Sequence, residues 1–420
     1  MFKRLRQKIE KYGGTEFVYL SGISIASYAA ADILFLGYSV YTASGVIGSV
    51  IVFAICCSAL YAALISLIRT SLSANLSSLD MVNHYFGKQG ARFCAAALAL
   101  TFLGWFLWQL NFCVMFIKHH AALRIAFFKT LSDEKIGVFL GLLCCAIACT
   151  EKTGLRLVAF CFVPVLLILL VSLFCFLSPV FPEHAHPLST IDFSTLSILF
   201  GGFAALVMYS PTFFKSAGSV DIARRSLKLT YLVILPFFYV SGVLFGVLSP
   251  SNNVLSIARM PSGVGPFVLL AFVIVCGLNI CSTNLFYGAD VVAQVTSPKS
   301  RMPMVFLLSS VGILFYSLMN SKLKTGSAGI EFLGSLVVGM LSIILTKTVA
   351  NNFRMKDESL EQQRGNYLAL LISYAVGLFV WTGVFKITGV QFFDIALTSF
   401  IMCLYFMGFP PKLKILNRIR

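Results

Sequence analysis

Apolar runs of about 20 residues recur along the whole of this chain, and each is long enough to cross a bilayer as a helix. Lipid offers no partner to a free backbone N–H or C=O, so helices are the expected spanning form; the alternation of a transmembrane β-barrel is absent. Apolar side chains occupy 58% of the 420 positions and charged ones 11%, with a mean hydropathy of +0.90. A soluble domain carries about 25% charged residues, and this chain lacks the polar groups to cover a water-facing surface. The runs predict twelve spans: Phe17–Gly37, Gly45–Ile68, Phe93–Ile117, Ile136–Thr150, Leu157–Val180, Leu196–Phe214, Leu229–Leu248, Val264–Tyr287, Met304–Met319, Phe332–Leu345, Tyr367–Phe385 and Phe392–Met407.

The net charge of +16 does not indicate nucleic acid, because the basic residues lie in short loops where anionic lipid headgroups meet them. With the N-terminus inside, 24 of the 32 Lys and Arg fall in inner segments and 8 in outer loops. That bias places both termini in the cytoplasm of a bacterial inner-membrane protein. The outer connections Phe181–Thr195 and Ser249–Gly263 are rich in Pro, His, Asn and Ser and are expected to form lids or short helices. The basic start, Met1 to Lys11, resembles a signal n-region, yet no small-residue cleavage site follows, so Phe17 onward is expected to be retained. The twelve cysteines sit mostly within apolar runs without ligand spacing and behave as small hydrophobes.

Polar groups inside spans are the informative positions, because each is expensive unless it faces protein, water or a ligand. Asp32 stands in the first span, either paired across helices or available to a cation, proton or substrate. In the third span Trp105 and Gln109 are four apart and share a helix face, with Phe102 one turn before. An indole plane beside a carboxamide suits a flat heterocycle; the alternative is packing, with the Gln bonded across helices. The sixth span carries Gly201-Gly202-Phe203 and ends in Ser210-Pro211, which permits a broken helix. The eighth ends in Gly277-Leu278-Asn279-Ile280-Cys281-Ser282-Thr283-Asn284, whose hydroxyls either ligate a hard monovalent cation or bond back to their own helix.

In succession these stretches resemble the nucleobase:cation symporter-1 family, the cytosine, purine, allantoin and hydantoin permeases. His84-Tyr85-Phe86-Gly87-Lys88-Gln89-Gly90 is similar to the family's FG-x-x-G loop, and Gly104-Trp105-Phe106 to its GWF segment. Gly202-Phe203-Ala204 and Pro211-Thr212-Phe213 resemble its sixth span, and Gly277 to Asn284 its GLNIWTTN pattern. The resemblance covers roughly spans one to ten. It implies an all-α integral membrane protein of about twelve helices with a five-plus-five inverted-repeat (LeuT-type) fold, broken first and sixth helices and a midplane site. The repeats would be residues 17–180 and 181–352, with two further helices in 353–409 between cytoplasmic termini 1–16 and 410–420.

Carried over by residue, Trp105 would stack on the substrate, Gln109 would hydrogen-bond it, Phe203 would cover its other face and the backbone at Gly202 would approach it. Ser282, Thr283 and the carbonyl of Asn279 would hold sodium with first-span carbonyls near Ser24 and Ser27. The first span runs outward and the eighth inward, so Ser24 and Thr283 should match in depth, roughly 6–10 Å from the inner ends of their spans. Four positions depart from the family pattern. Ala31-Asp32 replaces a Gly pair, Phe102 a Gln, Gly288 a substrate-binding Asn, and Thr212 an acidic residue.

The expected function is import of a nucleobase-like or related planar solute coupled to Na+ or H+, by a monomer with no other cofactor, no nucleic-acid partner and no enzymatic activity. An amino-acid transporter of the same fold, with Asp32 facing an amine, is the first alternative. A lipid-modifying membrane enzyme or a transport-inactive sensor is more remote. A reporter fused after Arg420 should read as cytoplasmic and one inserted at His184 as exterior; a C-terminus found outside would break the twelve-span count.

Overall fold

A computed structural model describes residues 14–28, 31–120, 130–150, 152–176, 194–248, 265–296, 300–319, 326–353, 358–381, 388 and 390–407. The terminal segments, nearly all of the outer connection 181–195 with His184 and His186, the whole of 249–263, and the side chain of Asp32 lie outside the described residues. Within them every regular element is helical. Six helices are long and apolar enough to cross a membrane, and three shorter apolar ones, Phe160–Ser172, Met302–Leu318 and Gln391–Phe406, accompany them. The protein is therefore a multi-pass α-helical membrane protein.

The first span is carried by two helices, Gly14–Tyr28 and the start of Ala31–Ala74. The expected loop 38–44 is itself helical, and the chain instead turns into span two at Gly45, whose φ of 65° suits glycine. Span three begins in the same way. Helix Ser78–His120 is kinked at Gly87, where φ is 68°. This is the glycine of the FG-x-x-G stretch, and a Cβ there would also lie 2.9 Å from Gln363 Oε1. The motif glycine thus serves a turn.

The expected break in the sixth span is not found, because Ser194–Phe214 is one helix through Gly201, Gly202 and Pro211. Gly201 serves packing, since a Cβ on Gly334 would come within 2.2 Å of Gly201 Cα. Small residues let membrane helices approach this closely. Span eight is longer than its hydropathy indicated, running from Gly265 to Thr296 rather than ending at Tyr287.

Packing divides the chain into two interleaved units, one of residues 1–58, 102–199 and 217–326, the other of 59–101, 200–216 and 327–420. The first holds most of the candidate site. In the second, Gln363 Nε2 and Asn366 Nδ2 donate to the carbonyls of His84 and Tyr85 at 3.2 and 2.8 Å, satisfying groups that the kink at Gly87 frees. Lys347 and Glu358 form a 2.9 Å ion pair with side chains only 4% and 5% exposed. Neither partner can retreat to water, so Lys347→Met should lower stability by about 3–5 kcal/mol. Lys347→Met with Glu358→Leu should recover most of that loss in thermal or denaturant unfolding; equal losses in the single and double variants would show that packing, not charge, is at stake.

Candidate functional site

The site in the first unit is built where spans one, three, seven and eight meet. Span eight presents Asn279, Thr283 and Tyr287 at four-residue spacing, so all three follow one face. All are buried, with Asn279 fully inaccessible. Asn279 Nδ2 donates to the Ala26 carbonyl of span one at 2.8 Å. Two turns along, Ser27 Oγ donates to Ile23 O at 2.9 Å and lies 2.7 Å from the Tyr287 hydroxyl, which is then the donor between them. Ser24 Oγ lies 3.0 Å from Thr230 Oγ1 of span seven. These contacts join spans one and eight at Ala26 and Ser27, while Ser24 meets span seven.

The hydroxyls of the Ser282-Thr283 pair bond to their own helix. Ser282 Oγ donates to Leu278 O at 2.5 Å and Thr283 Oγ1 to Asn279 O at 2.7 Å. Each hydroxyl oxygen keeps acceptor lone pairs when its proton is so engaged, and a carbonyl has two. The arrangement therefore fits a monovalent cation held by oxygen atoms, with Asn279 O already accepting one bond and Ala26 O another. The first-span groups expected at this site are carbonyls near Ser24 and Ser27, not the two hydroxyls. The Ser24 and Ser27 hydroxyls face Thr230 and Tyr287, leaving their neighbouring carbonyls as the relevant groups.

Span three also packs on span eight. The Phe102 and Tyr287 rings meet edge to face at 5.6 Å, and Cys281 Sγ lies 3.8 Å from Phe106 O. Phe102 and Phe106 face span eight, which turns Trp105 and Gln109 about 60° around the helix from that contact line. Gln109 is completely buried and Trp105 is 5% exposed. Neither amide atom of Gln109 nor Trp105 Nε1 has a hydrogen-bond partner among the described residues. Among the described residues Gln109 makes no bond across helices. Buried polar atoms without partners are uncommon in native proteins and call for an explanation by a ligand or water.

Gly288 lies in span eight one residue past Tyr287 and is buried. Gly202 and Phe203 belong to the second unit, where Phe203 is 3% exposed and Gly202 half-buried. Thr212, in the place of the family's acidic residue, is bonded at 2.9 Å to Ser78 Oγ. Asp32 lies at the start of the second helix of span one. Tyr287, Thr230 and Asp290 were not singled out from the sequence. The four-residue repeat Asn279, Thr283, Tyr287 was the available signal for the first, whereas Thr230 is an ordinary hydroxyl until span seven packs on span one.

No family model matches the sequence, and no curated protein matches it. The fold does have solved relatives. A nucleobase-cation-symport-1 family transporter, Mhp1, closed with bromovinylhydantoin bound, superposes with a TM-score of 0.70 at 16% identity, over 93% of this chain and 91% of its own. A Na+-coupled sialic acid symporter gives 0.62 at 13% identity, covering 94% and 90%. A manganese transporter of Eremococcus coleocola, in a mutant form, gives 0.54 at 12%, covering 93% and 92%. The chain has the LeuT-type transporter fold.

The unpartnered amide generates a prediction that needs no substrate. Replacing Gln109 by Leu removes two buried, unsatisfied polar atoms at similar volume, so the ligand-free protein should gain about 1–3 kcal/mol. Thermal unfolding of the purified variant measures it, and a loss of stability would show that the amide is bonded in the native state.

Proposed function

We propose that the protein is a secondary active transporter that imports a nucleobase-like or related planar heterocycle, coupled to sodium or protons, across the bacterial cytoplasmic membrane. The observation that carries this reading is Gln109. A fully buried carboxamide with no protein partner among the described residues, one turn from an indole whose N–H is also unsatisfied, is a recognition group awaiting a polar-edged planar ligand. Trp105 supplies a π-face of matching shape. The fold supports transport as the class, since solved proteins of this fold include symporters. The resemblance of the motifs supports the substrate class, and Phe203 and Gly202 enter the proposal through it alone.

In this reading the cation binds between the Ser282-Thr283 hydroxyls, the Asn279 carbonyl and span-one carbonyls around Ala26. Asn279 then links cation and span one directly, because its side chain holds Ala26 O while its own carbonyl faces Thr283. Occupancy of the site favours one arrangement of spans one and eight, and the substrate that requires that arrangement binds more tightly; the coupling is reciprocal. The protein works as a monomer with both termini in the cytoplasm, and no step of this cycle makes or breaks a covalent bond.

The test begins with a thermal-shift screen of nucleobases, hydantoins and amino acids on purified protein, with and without sodium, since any bound ligand stabilises by mass action. A planar heterocycle should register, more strongly with sodium. Trp105→Ala should weaken that ligand by about 1–3 kcal/mol, on the scale of base–aromatic stacking. Ser282→Ala with Thr283→Ala should keep the helix and remove the effect of sodium on affinity. Sodium-independent affinity in the wild type would exclude the cation site and leave protons as the coupling ion. Amino acids registering in place of heterocycles would overturn the substrate class.

A further inference from the structure

Past the candidate cation site, the polar face of span eight continues through Tyr287 to Asp290 and Gln294. Asp290 is 2% exposed as a side chain, and about 10 Å along the helix axis from Thr283. Gln294 Nε2 donates to its Oδ2 at 2.6 Å. Arg301 Nε stands 2.8 Å from its Oδ1, with the guanidinium 5.9 Å from the centre of the Phe286 ring. The pair is strongly asymmetric. Arg301 is 41% exposed, against 2% for Asp290. The Arg301 carbonyl accepts from Met304 N and Val305 N at 2.9 and 3.1 Å, so the backbone is fixed at the start of span nine while the side chain reaches water. A buried carboxylate must have a counter-charge, but this counter-charge can leave into solvent and the carboxylate cannot. Lys347–Glu358, buried on both sides, is a staple by the same criterion.

We propose that Asp290 is a transit site for a monovalent cation, in which Arg301 is a resident counter-ion displaced by the ion moving between the Ser282-Thr283 site and solution. The proposal rests on the cation-coupled reading above. A fixed charge of one sign raises the local concentration of counter-ions and speeds their exchange by roughly 10–10³, and the Arg301 guanidinium keeps the Asp290 carboxylate compensated when no ion is passing. Asp290 acts on the ion without binding substrate.

The test uses purified full-length protein, with sodium chloride titrated against choline chloride at constant ionic strength and unfolding temperature as the readout. Arg301→Gln strips the carboxylate of its resident cation. The sodium concentration for half-maximal stabilisation should then fall by about tenfold or more, as local cation enrichment implies. Adding Asp290→Asn should abolish that gain, and Arg301→Lys should behave as wild type. Should Arg301→Gln fail to fold, Asp290→Asn alone should slow radiosodium exchange in reconstituted vesicles by about tenfold. A normal sodium response in wild type with no change in these variants overturns the transit site and leaves the cation-coupled reading standing. A wild type blind to sodium, with Arg301→Gln newly responsive, removes the sodium coupling and keeps Asp290 as a cation site. Blindness to sodium in all of them overturns both.

Discussion

Everything in this structure depends on the absence of water as a hydrogen-bond partner in the membrane. Each buried polar group has to find its partner in another helix, in its own backbone, or in a ligand. Span eight shows two of these solutions on one rod and offers oxygen atoms for the third. Ser282 and Thr283 bond back to their own helix, Asn279 and Tyr287 reach span one at Ala26 and Ser27, and Asp290 holds an arginine from the start of the next span. Those cross-helix bonds fix the relative depth of spans one and eight, and with it the spacing of every oxygen atom that a cation would use. Gln109 and Trp105 are left outside this bonding scheme, and that makes them the most informative pair in the chain.

The family-like motifs divide by what they do in the fold. Gly87 of the FG-x-x-G stretch adopts a positive φ, and the carbonyls beside it are taken up by Gln363 and Asn366. Gly201 admits Gly334 at backbone distance. These positions explain themselves by local geometry and carry no information about a substrate. The aromatic and amide positions of span three are different, because packing alone gives no reason for a fully buried carboxamide with no bond among the described residues.

Backbone arrangement and recognition chemistry are also separable when the chain is set against its solved relatives. A TM-score of 0.70 survives at 16% identity because span lengths and small-residue contacts need only apolar side chains of suitable size. Substrate groups obey stricter demands. Phe102, Gly288, Thr212 and Ala31-Asp32 stand where the family resemblance implies other residues, so the fold is no guide to the particular solute.

The sequence by itself determined the membrane-spanning class of the chain and the helical nature of its spans. Both follow from apolar length and a 1.5 Å rise, which are local properties. It also placed Trp105 and Gln109 on one face, since helical periodicity does so without help from neighbours. It could not show that Gln109 lacks a partner among the described residues, that Gly201 of span six serves packing rather than a break, or that span eight runs on to enclose Asp290. A carboxylate following Gly288-Ala289 reads as the start of a loop until Arg301 and Gln294 neutralise and bond it within the fold. Whether a polar side chain is satisfied, and by what, depends on the helix opposite, and only the tertiary structure decides which helix that is.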